Sequence, residues 1–282
     1  MNIGIAGLGL IGGSMAKAYR EYSNEHGLDL NIYGFDKNTS IIEFAMLEGT
    51  LNGFLDESVI PTCNLIFVAL YPAASVEYME KIAHLVNKSA YVMDLCGTKE
   101  RICDSGFALA EKHGFTFVGT HPMAGTHYSG YKYSKASMFK GAPVVIVPPR
   151  FDDIILYETV KQLLAPAGFG KFSFTTAKEH DKTIAFTSQL AHVVSNAYVK
   201  SPTARSHKGF SAGSYKDMTR VAWLNEEMWT DLFFENKDPL LFEIDTIISS
   251  LCEYRDALIE DDREKMRAAL HQGRIAKEEI DG

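Results

Sequence analysis

His121 ends an apolar run and is followed at once by Pro122-Met123-Ala124-Gly125-Thr126-His127-Tyr128-Ser129-Gly130. An imidazole titrates near neutrality, so at such a place it acts as a general base or sits as a buried structural histidine. Arg220 closes the run Asp217-Met218-Thr219-Arg220. Its guanidinium fork matches a carboxylate, which makes it an anchor for an anionic ligand or one half of a surface ion pair. Gln189 and His192 lie three residues apart in Ser188-Gln189-Leu190-Ala191-His192 and share a helix face. They line a cleft or face solvent.

A fourth group points to a larger anion. Gly7-Leu8-Gly9-Leu10-Ile11-Gly12 is a Gly-x-Gly-x-x-Gly loop, with an apolar strand-like run at 2–6 before it and a helix starting near Ile11 after it. In that context the first glycine makes the tight turn, the second lets the backbone approach a pyrophosphate, and the third packs helix on strand. The helix N-terminus then offers free N–H groups to the phosphates. Asp36 ends the next strand-like run, where a carboxylate accepts from both ribose hydroxyls and repels a 2′-phosphate. That favours NAD over NADP, with Lys37 beside it softening the repulsion. The cofactor-binding set is Gly7, Gly9, Leu10, Ile11, Gly12 and Asp36, with Leu70 at the end of the run 65–70. A glycine turn serving packing alone is the rival reading, and strand, helix and acid together weigh against it.

These residues need elements to position them. Strand-like runs fall at 2–6, 30–35, 65–70, 90–95, 116–120 and 143–147, most of them apolar on both faces as in a buried parallel sheet. Helix-like stretches lie between them near 11–24, 39–48, 73–87 and 98–112. The alternation predicts an α/β fold with a doubly wound Rossmann-type sheet. After the break at Pro148-Pro149, a helix at 152–164 and a strand at 171–174 complete a dinucleotide-binding domain over 1–175. Residues 176–282 read as an all-helical substrate-binding and dimerisation domain, with helices at 177–200, 216–235, 238–260 and 262–279. Ile244, Ile247, Ile248, Leu251, Tyr254 and Leu258 recur at helical spacing and make one apolar face. Such a face joins a second copy as a homodimer or closes onto the chain's own core. The segment 93–99 and the run after Thr120 both lie at carboxyl ends of strands, where open α/β sheets hold ligands.

Composition narrows the partners. A net charge of -8 speaks against nucleic acid, which needs a basic surface. The four cysteines form no Cys-x-x-Cys pair, so no metal site is expected. Scattered thiols suit a reducing compartment. The first residues lack the basic region and cleavage site of a secretory leader, and no apolar run nears the ~20 residues of a membrane span. The expectation is a cytoplasmic protein with no membrane contact.

Taken together, Gly7-Leu8-Gly9-Leu10-Ile11-Gly12-Gly13-Ser14, His121-Pro122-Met123-Ala124-Gly125, Ser188-Gln189-Leu190 and Asp217-Met218-Thr219-Arg220 resemble the prephenate/arogenate dehydrogenase family of tyrosine biosynthesis. The resemblance spans nearly the whole chain. It implies hydride transfer from a cyclohexadienol to NAD with loss of the ring carboxylate as CO2, prephenate giving 4-hydroxyphenylpyruvate. It implies His121 as base and Arg220 as carboxylate anchor, with Thr98, Thr126, His127, Gln189 and His192 about the substrate. His127 stands where the family commonly has glutamate, Gly97 where many members have serine, and Ala191 where proline is frequent. The first two bear on fine specificity and pH dependence. His127 removes a possible partner for an ammonium, which favours prephenate over arogenate. A β-hydroxyacid dehydrogenase is a rival, but Lys178 and Lys182 offer no equivalent of its catalytic lysine. A non-catalytic NAD-binding sensor is another, and His121 with Arg220 speaks against it. With the sequence ending at Gly282, no appended regulatory or mutase domain is expected.

Overall fold

The computed structural model describes residues 1–126 and 128–281. Eight strands form one sheet in the order β3-β2-β1-β4-β5-β6-β7-β8. They are β1 (Asn2–Ala6), β2 (Asn31–Phe35), β3 (Gly53–Phe54), β4 (Leu65–Val68), β5 (Tyr91–Asp94), β6 (Thr116–Pro122), β7 (Pro143–Val147) and β8 (Lys171–Phe174). The strands β1 to β6 pair in parallel, linked by α1 (Leu10–His26), α2 (Thr39–Leu47), α3 (Pro72–Ile82) and α4 (Glu100–His113). α5 (Ile154–Leu164) connects β7 to β8. The doubly wound α/β expectation stands, with two additions. The edge strand β3 has two residues, too few for an alternation to show in the sequence. β7 runs antiparallel to β6, opposing Val145 to His121. Reversal to a parallel neighbour needs a long crossover, usually a helix. Between β6 and β7 the described residues make only short 3-10 turns, packed against α1, and the chain returns antiparallel.

The core lies on both faces of the sheet. Ile3, Ile5, Phe67 and Val118 pack under α1 and α5 with Met15, Tyr19 and Leu156. Ile66, Val68, Val92 and Phe117 pack under α3 and α4 with Met79, Ile82 and Ile102.

Past β8 every regular element among the described residues is helical. α6 (Ala177–Ile184) opens on Thr176, whose side chain accepts from Glu179 N–H. It continues through a π-helical stretch, Ala185–Leu190, into α7 (Ala191–Tyr198). The single helix expected at 177–200 is thus one path with a widened turn at its centre. The single helix expected at 216–235 is two: α8 (Gly213–Thr219) and α9 (Glu226–Glu235). Asn225 caps α9 by accepting from Met228 N–H at 2.9 Å, and Glu226 and Glu227 follow in its first turn, which favours a helix start there. α10 (Lys237–Ile259) and α11 (Arg263–Asp281) complete the chain. α6 packs on α4 and α9 on α3, which sets the helical region against one side of the sheet.

Candidate active site at the sheet and helix junction

The glycine loop has the geometry its spacing requires. Gly7 has a φ of +89°, and a Cβ there would lie 2.5 Å from the Ala69 carbonyl oxygen. A Cβ on Gly12 would lie 1.8 Å from the Gly7 oxygen, so α1 reaches the strand only because Gly12 has no side chain. Gly9 differs: a Cβ there meets nothing within 4 Å. It is the N-cap of α1 and no side chain caps that helix, so Gly9, Leu10 and Ile11 present the helix start to an open face. Asp36 lies beside the loop, accepting from Leu8 N–H at 2.8 Å and from Asn38 N–H at 2.9 Å. Leu70 follows β4 and lies within 2.9 Å of a Cβ placed on Gly7. A pocket of about 320 Å³ opens next to Asp36, lined by Phe35, Thr39, Phe54, Tyr78 and Lys81. The Tyr78 hydroxyl is buried and has no hydrogen-bond partner among the described residues. A cradle that a Cβ would fill, beside a carboxylate and an apolar pocket, fits a dinucleotide.

His121 is the penultimate residue of β6, half-buried at the strand's carboxyl end. Its Nδ1 is 2.9 Å from His180 Nε2, and His180 Nδ1 is 2.6 Å from Asp181 Oδ1. His180 and Asp181 are both 2% exposed. The Asp181 carboxylate also accepts from Lys99 N–H at 2.7 Å and Glu100 N–H at 2.8 Å, which caps α4 from another element. The other nitrogen of His121, Nε2, faces Gly97: a Cβ there would lie 3.9 Å from it and 3.5 Å from Leu232 of α9. Burial above all, then His180 and Lys99, holds the His121 imidazolium well below its ordinary pKa. Burial lowers His180 too, against the pull of its bond to Asp181. Below them Lys99 and Asp94 form an ion pair with no exposed surface. Asp94 accepts in addition from Cys96 N–H and Thr120 N–H, so its charge is both paired and hydrogen-bonded. Burial pulls the Lys99 ammonium down, but Asp94 together with the Cys96 and Cys103 thiols outweighs it, and the pKa stands above the ordinary value.

α9 joins this histidine to the helical region. Leu232 approaches Gly97 as His121 Nε2 does, and Trp229, one turn earlier on α9, packs with its ring centroid 4.0 Å from that of His192. His192 Nδ1 donates to Val221 O at 2.9 Å, because a carbonyl only accepts. Its Nε2 is left as an acceptor. Burial pushes its pKa below the ordinary value, partly offset by the Val221 bond, and the Arg220 cation nearby adds to the fall. Arg220 follows α8 as its C-cap, exposed, and no ion pair among the described residues includes it.

The other predicted substrate residues divide. Thr98 is buried in the loop between β5 and α4. Thr126 is exposed, accepting from Tyr128 N–H at 3.3 Å. His127 lies outside the described residues. Gln189 is 2% exposed rather than open to a cleft. Its Nε2 donates to Leu232 O at 3.0 Å and its Oε1 accepts from Asn236 at 2.7 Å, so it ties the π-helical stretch to α9. Sequence reading missed His180, Asp181 and Asn236. The His-Asp pair in the first turns of a helix was its only local trace.

Comparison with known proteins covers the same ground. The family model described as "Prephenate dehydrogenase, nucleotide-binding domain" matches residues 16–171, and "Prephenate dehydrogenase, dimerization domain" matches 176–272. The chain is 28% identical over 270 residues to the prephenate dehydrogenase of Bacillus subtilis, covering 93% of this chain and 71% of that one. It is 26% identical over 269 residues to the cyclohexadienyl dehydrogenase of Zymomonas mobilis, covering 93% and 89%. Among solved structures, the prephenate dehydrogenase of Aquifex aeolicus in complex with hydroxyphenyl propionate and NAD+ superposes with a TM-score of 0.81 at 26% identity, over 99% of this chain and 98% of that one.

Proposed function

The chain belongs to the prephenate dehydrogenase family, and from that premise we propose that it oxidises and decarboxylates prephenate to 4-hydroxyphenylpyruvate with NAD. The observation that carries the reading is His121. It is neutral, fixed at a strand end, and turns Nε2 toward the junction with the helical region.

Bound at the glycine loop, the nicotinamide accepts a hydride from the carbinol carbon of the substrate ring. His121 Nε2 takes the proton of the ring hydroxyl in the same event. The ring carboxylate then leaves as CO2, and the electron pair of the broken C–C bond completes the aromatic ring. The phenolic oxygen takes back the proton that His121 held, so no proton is gained or lost overall. A base so placed contributes about 10²–10⁴-fold. Arg220 anchors a substrate carboxylate, and His192 lines the same cleft with its open Nε2. Gln189 supports them by holding α9. Asp36 accepts the adenosine ribose hydroxyls and selects NAD, while the pocket beside it seats the adenine.

The molecule works as a homodimer through its helical domain, from residue 176 on. α10 buries only Leu240 and Ala257 within its own chain and leaves Phe242, Ile248, Leu251 and Leu258 exposed. All four cysteines are free thiols, which supports a reducing, cytoplasmic setting.

The test is NADH formation with prephenate and with arogenate, each with NAD and NADP. Prephenate with NAD is expected to give the highest kcat/KM. Preference for arogenate would exchange the substrate, and turnover of neither would leave an NAD-binding protein without this activity. His121→Asn is expected to lower kcat by about 10²–10⁴-fold with NAD affinity unchanged.

A further inference from the structure

We propose that His180 and Asp181 complete a relay behind His121, in which His180 fixes the tautomer of the base and shares the proton it takes. The proposal rests on His121 being that base.

The chain of donors admits one solution at neutral pH. The Asp181 carboxylate only accepts, so His180 Nδ1 carries the hydrogen that bridges their 2.6 Å. A neutral His180 then has a bare Nε2, and the 2.9 Å contact requires His121 Nδ1 to donate to it. His121 is left with its lone pair on Nε2, the atom that faces Gly97. No other arrangement of neutral imidazoles satisfies both contacts.

Charge bookkeeping around the pair gives His180 its second role. The charged groups facing the two imidazoles are Asp181 on α6, Lys99 in the loop before α4, and Asp94 on β5, with the Cys103 thiol on α4 close behind. Asp94 is already matched by Lys99. Asp181 is matched by no lysine or arginine among the described residues; His180 is its only ionisable partner. At rest its charge is held by the N–H groups of Lys99 and Glu100 at the start of α4. When His121 Nε2 binds the substrate proton, the Nδ1–H bond of His121 can break as a new N–H bond forms at His180 Nε2. The cation then lies on His180, in contact with Asp181, and His121 is neutral again. The proton returns along the same two bonds when the phenolic oxygen recovers it. A lone histidine at this depth would carry the cation against burial with only Lys99 nearby, a like charge. The relay moves it one ring closer to the unmatched carboxylate.

A capping role for Asp181 alone would leave His180 dispensable, and two measurements separate the cases. The first is imidazole ¹⁵N NMR on the unmodified, full-length protein near neutral pH, assigned with His121→Asn and His180→Gln. His121 is expected to be protonated at Nδ1 and bare at Nε2; a hydrogen on Nε2 overturns the proposal. The second is kinetics of His180→Gln, whose amide oxygen can still accept from His121 but cannot bind a proton. Its kcat is expected to fall about 10-fold, part of what a general base contributes, while KM and NAD affinity stay within about twofold. Its acid limb is expected to move, because one of the two coupled proton sites has gone. Wild-type kcat and an unmoved limb in His180→Gln, with His121→Asn inactive, overturn the relay and leave the base. Activity in His121→Asn overturns both. If His180→Gln fails to fold by circular dichroism, the NMR tautomer of the unmodified protein decides alone.

Discussion

The chain carries an excess of acids, with a net charge of -8, yet the Arg220 guanidinium meets no carboxylate of its own chain among the described residues. An exposed arginine beside His192 and without an internal partner is available to an anion brought from outside. Arg220→Ala is expected to raise KM for the substrate about 10- to 100-fold, in line with the ~1.5–3 kcal/mol of a hydrogen bond to a charged group, with kcat much less affected. An unchanged KM would take Arg220 out of the site. His121 yields a prediction of opposite character. Burial, then His180 and Lys99, depress its pKa, so more acid is needed to protonate it than a free imidazole requires. The acid limb of kcat/KM should therefore lie below the ordinary histidine value of about 6.5. A limb at or above that value would contradict a buried neutral base. Both residues stand out in the sequence because each sits in a local motif. His180 does not, since its partner lies 59 residues away and only the fold brings the two rings together. Gln189 misled for the same reason: helical spacing gives a face but does not say that α9 covers it.

At the scale of elements, the glycine loop separates packing from binding. Gly12 and Gly9 look alike in the sequence and differ in space. A Cβ on Gly12 would overlap the Gly7 carbonyl oxygen at 1.8 Å, whereas one on Gly9 would meet nothing within 4 Å. Gly9 has a φ of -75°, which any residue adopts. Gly12→Ala is thus expected to lower Tm by several degrees, as the start of α1 is forced off β1, and to weaken NAD binding as a consequence. Gly9→Ala is expected to leave Tm within about a degree and raise the Kd for NAD at least about 10-fold, because its methyl occupies the approach of the pyrophosphate. Thermal melts with and without NAD distinguish the two; equal melts would erase the distinction. Strands were the more legible elements: β1, β7 and β8 begin and end at the expected residues, since apolar runs bounded by turn residues mark buried strands. Helix continuity was less so. The π-helical stretch at Ala185–Leu190 keeps the apolar spacing almost intact, and the break before α9 is marked by the Asn225 cap and the two acids after it.

At the scale of the molecule, the two halves differ in how they are covered. The sheet is buried on both faces, while α10, 23 residues long, buries two residues within its own chain. The stripe expected from Ile244, Ile247, Ile248, Leu251, Tyr254 and Leu258 contains no buried member, and Ile248, Leu251 and Leu258 are more than half exposed. That favours the homodimer alternative, for a stripe closed onto its own core would be covered in a single chain, whereas only Ile244, Ile247 and Tyr254 are half-buried. Removing a leucine side chain from water contributes about 1.5–3 kcal/mol, and a stable interface buries roughly 1,200–2,000 Å² in total. A long helix with its apolar side only partly covered contributes to that area, and twofold symmetry makes each contact count in both copies. Leu251→Asp combined with Leu258→Asp would bury charge without a partner in such an interface. The pair is expected to weaken self-association at least about 100-fold and, at micromolar concentration, to convert the particle from two chains to one of 31.3 kDa. Light scattering coupled to size exclusion measures this directly. Circular dichroism should stay unchanged, since neither side chain is buried within its own chain. A mass that stays at two chains would move the interface away from α10, and a single chain in the unaltered protein would end the homodimer reading.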